Sequence, residues 1–314
     1  MTFNKSLILN ILKICLSLFL IIYILLKMNL EDIVFTFKTA NVYFFLLAFC
    51  LQFVNLPIRA YKWKILLSVQ GIQVPLKTLV SITLVGAFFN NFLPTSMGGD
   101  FVRAHDISKH SNQTVKSVST IILQRLTGAI AIIVYCVIGI IIGFNIPVIK
   151  NLALLIGVLA LISLLFIIII LNLNYFKKFN IIRLLLQFDS KNIIKKTYYS
   201  LEIYKHHKKE CIEILIISLF AEFTVIIYFY IITLSLHQNI ALLYFFIFIP
   251  IISVIEMLPI SINGIGVRES AFLYFFTQIG ILDYIAVSIS LLYYAQKVGI
   301  SLIGGGIYGL RRRP

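Results

Sequence analysis

Apolar runs of roughly 18 residues or more recur along this chain, and a run of that length crosses the ~30 Å hydrocarbon core of a bilayer as helix. In hydrocarbon only helices and closed barrels satisfy all of their own backbone polar groups. Segments of ~10 residues alternating apolar and polar, the mark of a membrane barrel, are absent from the sequence. The fold class is therefore all-α polytopic membrane protein. Hydrophobic residues make up 60% of the chain and charged residues 12%, with a mean hydropathy of +1.00, whereas a soluble domain is ~25% charged.

Full spans are expected near 6–27, 40–57, 117–143, 151–172, 211–235 and 284–307, with two further apolar segments at 78–93 and 241–258. The first is too long for a signal-peptide core and lacks a small-residue cleavage site, so it is expected to stay as a helix. The net charge of +15 sits in loops between apolar runs, as orientation signals do, and no nucleic-acid motif accompanies it. The basic stretch 173–210 is expected in the cytoplasm. Its apolar positions Phe176, Phe179, Ile182, Leu185 and Leu186 fit either a helix on the anionic inner leaflet or a solvated linker.

Lys5, Arg59-Lys62-Lys64, Lys109, Lys116 and Arg311-Arg312-Arg313 should all be inside, with both termini, in the cytoplasmic membrane. Both flanks of 78–93 can be inside only if 78–103 enters the membrane and turns back. The same logic makes 241–282 dip in from the other face. The expectation is about six full spans plus two re-entrant hairpins of opposite orientation, an inverted-repeat architecture within a single integral membrane domain, 1–314. Eight full spans also leave both termini inside.

A short repeat marks the two hairpins. Leu93-Pro94-Thr95-Ser96-Met97-Gly98-Gly99-Asp100-Phe101-Val102-Arg103 aligns without a gap on Leu258-Pro259-Ile260-Ser261-Ile262-Asn263-Gly264-Ile265-Gly266-Val267-Arg268, matching at six of eleven positions. The chain has only 7 Pro, so a paired proline inside a shared 93–103 and 258–268 string is a strong signal. Pro94 and Pro259 break helix at their own positions and the one before. Gly98, Gly99, Gly264 and Gly266 allow unusual backbone angles and close ligand approach. Interrupted helices in corresponding halves point to a central substrate site, and a helix restarting at the glycines presents a partly positive amino end.

Arg103 and Arg268 then sit about one turn into the restarted helices, each able to bind phosphate bidentately. A charge inside the membrane costs at least ~2.5–3.5 kcal/mol on insertion scales. An anion site is the favoured reading, with structural ion pairs to Asp100 and Glu269 as the alternative. Asn91 and Glu256 are in register by the repeat offset of 165, and Glu256 reads equally as an ion site or as a partner of Arg103, Arg125 or Arg268. Gln124, Arg125 and Glu222 are further polar groups in apolar context. Gly304-Gly305-Gly306 with Gly309 suits close helix packing. Cys15, Cys50, Cys136 and Cys211 have no metal-ligand spacing, and neither metal nor cofactor is implied.

Arg59-Ala60-Tyr61-Lys62-Trp63-Lys64, Phe89 through Arg103, Arg125-Leu126-Thr127-Gly128 and Leu258 through Glu269 occur in this order. Together they resemble the transmembrane, flippase-like domain of lysylphosphatidylglycerol synthases, a family that also occurs as stand-alone membrane proteins. The resemblance covers nearly the whole chain. It implies movement of a lipid between leaflets, without the synthase activity, since no aminoacyl-transferase domain is in this sequence. Gln124 stands where members often carry an acidic residue.

The resulting expectation is a lipid translocase for an anionic or phosphate-bearing (glyco)phospholipid. Arg103, Arg268, Ser96, Ser261, Gly98, Gly99, Gly264, Gly266, Asn91, Arg125 and Glu256 are the candidate binding residues. Its partners would be anionic lipids and, through the basic loop, a separate lipid-modifying synthase. Two other classes stay open: a membrane glycosyl- or phospho-transferase acting on polyprenyl-phosphate-linked or glycolipid substrates, and an accessory subunit. The oligomeric state is open.

Overall fold

The computed structural model describes residues 5–93, 98–144, 193–257 and 260–311, with isolated positions at 150, 157, 158 and 161. The expected span at 151–172, the polar segment 173–192 with its Phe176–Leu186 pattern, and Ser96 lie outside the described residues. So do Pro94 and Pro259.

Every element among the described residues is helical. In order they are α1 (Lys5–Lys27), α2 (Leu30–Lys38), α3 (Val42–Val69), α4 (Leu76–Phe92), α5 (Gly98–Ser111), α6 (Thr114–Gly143), α7 (Ile193–Glu202), α8 (Lys208–Ser235), α9 (Leu242–Met257), α10 (Val267–Thr277) and α11 (Asp283–Leu310). Helices α3, α6, α8 and α11 are long and apolar enough to cross a membrane, and the α1–α2 pair, bent by 86°, makes a fifth if it counts as one span. Asparagines start two of the helices. The Asn29 side chain accepts the amide of Glu31 at 3.2 Å, and that of Asn41 accepts Tyr43 at 3.0 Å and Phe44 at 3.4 Å, filling amides that the first turn leaves unpaired.

Helix α3 is longer than the sequence suggests. It continues through Pro57 to Val69, so Arg59 and Lys62 ride on a helix flank instead of a loop. They interrupt the hydropathy of the run without interrupting its backbone.

Helices α3 and α8 form an antiparallel pair that sets the long axis. The Asn41 amide donates to Ser235 at 2.7 Å, Asn55 Nδ2 to the Ala221 carbonyl at 2.9 Å, and Lys62 Nζ to Ser218 Oγ at 3.1 Å. One end of the axis is therefore marked by Val69 and Lys208, the other by Val42 and Ser235.

Two helical hairpins enter from these opposite ends. Helix α4 starts after Val69, and α5 folds back along it. At the turn, the Gly99 amide donates to Asn90 Oδ1 at 2.7 Å. At the base, Arg311 joins Asp106 of α5 to Ser81 of α4. The backbones touch: a Cβ on Gly99 would lie 1.9 Å from the Gly86 carbonyl oxygen. Helix α9 starts after Ser235, and α10 folds back along it, with Arg268 3.5 Å from Glu256 near the turn. Towards the base, Phe248 packs on Phe275 and Phe245 on Phe276, ring centres 5.3 and 5.6 Å apart. The two turns meet, with Asn263 Nδ2 donating to Asn91 Oδ1 at 2.6 Å.

Helix α11 runs alongside α4, where a Cβ on Gly304 would sit 2.0 Å from the Leu84 carbonyl oxygen, while one on Gly306 would meet nothing within 4 Å. Close backbone approach through small residues is what replaces hydrophobic driving force between helices in lipid. Gly304→Val should destabilise the detergent-purified protein by about 1–3 kcal/mol, seen as a lower thermal midpoint, with Gly306→Val nearly silent. Equal effects of the two would contradict the α4–α11 contact.

Candidate functional site

Around the first hairpin turn, charge is shared among α3, α5, α6 and α8. Asp100 accepts from Arg103 at 3.2 Å and also pairs with Arg125. Arg103 donates a second bond to Gln124 Oε1 at 2.5 Å, so the neutral amide supplies the acceptor that an acidic residue would. The guanidinium lies over the Trp63 ring, 4.2 Å from its centre, a cation–π contact strengthened by desolvation. The indole is held in turn by Thr120 at 3.1 Å. The Nε of Arg103 is buried with no hydrogen-bond partner. Arg59, with its side chain 49% exposed, stands 3.6 Å from Glu222.

Lys62 is different from its neighbours. Only 5% exposed, its ammonium donates to the Gln124 carbonyl at 3.2 Å and Ser218 Oγ at 3.1 Å. Both acceptors are neutral. A buried ammonium whose hydrogen-bond acceptors are neutral is costly, and an incoming anion would offset that cost.

The second hairpin turn is built more tightly. Arg268 and Glu269 are each 1% exposed and 2.7 Å apart. Arg268 Nε also donates to Ser290 Oγ at 2.8 Å, and that hydroxyl donates to Glu269 Oε1 at 2.8 Å. The other carboxylate oxygen of Glu269 accepts the Gly266 amide at 2.7 Å, capping α10 at a glycine with φ of +81° that only a residue without Cβ adopts freely. Gly264 is likewise left-handed at +77°. Ser261 is buried, and its neighbour Ile262 is anchored by its amide donating to Ser17 Oγ of α1 at 2.9 Å.

Lys297 of α11 links the two turns. Its ammonium lies 3.2 Å from Glu256 and 3.1 Å from Asn263 Oδ1, and its carbonyl accepts from Asn91 at 3.3 Å. Asn91 and Glu256, matched by the repeat, thus converge on one residue.

A cavity of about 430 Å³ opens between these groups, bounded by Arg59, Lys62, Asp100, Arg103, Arg125, Glu222, Glu256 and Lys297 among others, within the range of small-molecule sites. Five cations (Arg59, Lys62, Arg103, Arg125, Lys297) face three carboxylates (Asp100, Glu222, Glu256), a formal surplus of two positive charges on the wall. A smaller pocket of about 250 Å³ adjoins it through Arg59, Asn90, Tyr293 and Lys297.

Of the residues singled out from sequence, Arg103, Arg125, Glu256 and Asp100 lie on the cavity wall, and Asn91 borders the adjoining pocket. Gly98 and Gly99 are buried in the first turn of α5. Arg268 is behind Glu256 and does not line the cavity. The repeat made the two arginines look equivalent, but their carboxylates sit at different places: Asp100 on the open side of Arg103, Glu269 packed against Arg268 inside the bundle. Lys297 carries no signal in the sequence, as a lone cation in an apolar run, while Lys62 reads there as part of a cytoplasmic flank and Asn263 only as a position of the second repeat motif.

The profile of the lysylphosphatidylglycerol synthase TM region matches residues 10–305. This chain belongs to that family. It is also similar to the UPF0104 membrane protein MJ1595 of Methanocaldococcus jannaschii, 29% identical over 126 residues, 39% of this chain. The match spans only 36% of that relative's own length. With the apolar helices, family membership makes the chain a multi-pass membrane protein.

Burial separates Arg268 from Arg125 in a measurable way. Arg268→Ala would strand the Glu269 carboxylate inside the bundle, and breaking such a pair costs about 3–5 kcal/mol. Arg125→Ala removes a side chain that is 38% exposed and should cost under ~1 kcal/mol. Thermal midpoints in detergent compare them, and similar values would refute the distinction.

Proposed function

We propose that this protein is a flippase-like lipid translocase of the cytoplasmic membrane that moves a lipid with an anionic, phosphate-bearing headgroup between leaflets. The observation that carries the proposal is the cavity between the two hairpin turns, with its formal surplus of two positive charges. A phosphate brings the missing negative charge, an acceptor for the unpaired Nε of Arg103 and an anionic partner for Lys62, whose two acceptors are neutral.

In this reading Arg59, Lys62, Arg103 and Arg125 bind the headgroup. The Gly98 amide, at the amino end of α5, and Ser96 add hydrogen bonds to it, as helix amino ends do for anions, while the Gly99 amide stays with Asn90. Ser261, Gly264 and Gly266 shape the opposite tip. The Lys297–Glu256–Asn263 group ties that tip to Asn91 and opens when the headgroup passes. Arg268 and Glu269 hold the second tip rigid.

The hairpins α4–α5 and α9–α10 are re-entrant in this proposal, two inverted repeats whose tips meet at mid-membrane. Support comes from their length, since α4 and α9 are too short for full spans, and from the opposite ends at which they begin. The end marked by Val69 carries Lys64, Lys77, Lys109, Lys116, Lys208, Lys209 and Arg311, whereas the other carries Glu31, Asp32 and Asp283 with Lys27 and Lys38. The basic end is cytoplasmic by the positive-inside rule.

The test uses proteoliposomes containing phosphatidylglycerol with a fluorescent tail, with dithionite quenching the outer leaflet. Wild type should speed exchange between leaflets over protein-free vesicles. Arg59→Gln with Arg103→Gln should slow it at least tenfold, the effect of ~1.4 kcal/mol or more, with the thermal midpoint kept. Exchange at the wild-type rate in the double variant would reject the site.

A further inference from the structure

The adjoining 250 Å³ pocket has a different chemistry from the cationic cavity. Aliphatic side chains such as Leu51, Leu56, Val225 and Ile300 form much of its wall, and most of its polar groups are neutral: Gln52 and Asn55 from α3, Asn90 and Asn91 from α4, with the rings of Tyr228 from α8 and Tyr293 from α11. Arg59 and Lys297 are the charges on it, and both stand where it meets the larger cavity. Gln52 Nε2 is buried beside the Tyr228 hydroxyl and makes no hydrogen bond of ordinary geometry. Buried polar groups in native proteins are nearly always paired, and an orphan donor costs about its full desolvation penalty. Its neighbours are not orphaned: Asn55 bonds the Ala221 carbonyl, and Tyr228 donates to Gln296 Oε1 at 3.1 Å. The unmet donor therefore marks one place where a ligand acceptor belongs.

Amides that donate and accept, set beside aromatic rings, are suited to vicinal hydroxyls. We infer that this pocket reads a polyol or sugar that is linked to the phosphate held by Arg59, Lys62 and Arg103, with Gln52 Nε2 donating to one of its hydroxyl oxygens. The headgroup is thus a phosphate ester carrying several hydroxyls, and a bare phosphomonoester leaves half of the site empty. This deepens the translocase proposal and rests on it.

The test compares phosphatidylinositol, phosphatidic acid and a neutral galactosyl diacylglycerol, each with the same fluorescent tail, in proteoliposomes of wild type and Gln52→Met. Equilibrium retention of the first two by detergent-purified protein is measured in parallel by native mass spectrometry. Methionine matches glutamine in length and removes the orphan donor, so the thermal midpoint of the ligand-free protein should hold or rise. A fall in midpoint would make Gln52 structural and overturn the inference. Wild type should move and retain phosphatidylinositol about tenfold better than phosphatidic acid, and the galactolipid worst. Gln52→Met should erase the inositol advantage and leave phosphatidic acid unchanged. Equal handling of the two phospholipids by wild type, or an equal loss of both in the variant, would overturn the inference while leaving translocation intact. If wild type moves no lipid yet retains phosphatidylinositol in a Gln52-dependent way, translocation fails and the headgroup inference stands. Stabilisation by soluble inositol 1-phosphate, without retention of the lipid, would assign the same chemistry to a soluble ligand.

Discussion

A helix broken inside hydrocarbon leaves amides and carbonyls that lipid cannot satisfy, and the rest of this structure follows from where those breaks are allowed. They are placed against each other. The Asn263–Asn91 bond at 2.6 Å and the Lys297 contacts to Asn263 and Glu256 give each interrupted turn a polar partner from the opposite hairpin or from α11. The surrounding helices then have to leave room for charge at the centre while closing tightly elsewhere, and they do so with glycine contacts at Gly99 and Gly304. Non-helical backbone at membrane depth is tolerated only against protein or a wet cavity, and these turns pack against each other and against α11 beside a cavity.

The two turns divide the electrostatic work unequally. At the second, Arg268, Glu269, Ser290 and the Gly266 amide form a closed set with 1% exposure of both charged side chains. A set so enclosed fixes shape and has little left to offer a ligand. At the first, Asp100 is shared by two arginines, Gln124 stands in for an acid, and Lys62 faces neutral acceptors only. Positive charge is left over on that side, and that surplus gives the cavity its sign. The repeated motif thus forms one closed tip and one tip whose charges border the cavity.

Much of this was legible in the sequence. The apolar runs gave the all-helical class, and the Leu-Pro-x-Ser repeat gave the positions of both turns. The offset that pairs Asn91 with Glu256 pointed to two residues that do converge in space. What stayed hidden was what they converge on, because Lys297 is a single cation in a helix whose other side chains give it no motif. In the sequence Arg59 and Lys62 read as a cytoplasmic flank, since hydropathy falls at the same place whether a helix ends or turns a polar face to a cavity. The split in role between Arg103 and Arg268 was beyond the reach of pattern alone: the repeat fixes both arginines, while their burial depends on helices distant in sequence. Gln52 gave no signal, for one amide in an apolar run carries no information until its neighbours are known.

The central claim is that the two tips meet across the bilayer centre and must part for a headgroup to pass. Asn91→Cys with Asn263→Cys, in a protein whose four native cysteines are replaced, tests it in one sample. The account predicts that mild oxidation joins the two cysteines within one chain, that lipid exchange in proteoliposomes then stops, and that reductant restores it. Failure of the cysteines to join, or exchange at the unlocked rate in the joined protein, would contradict it.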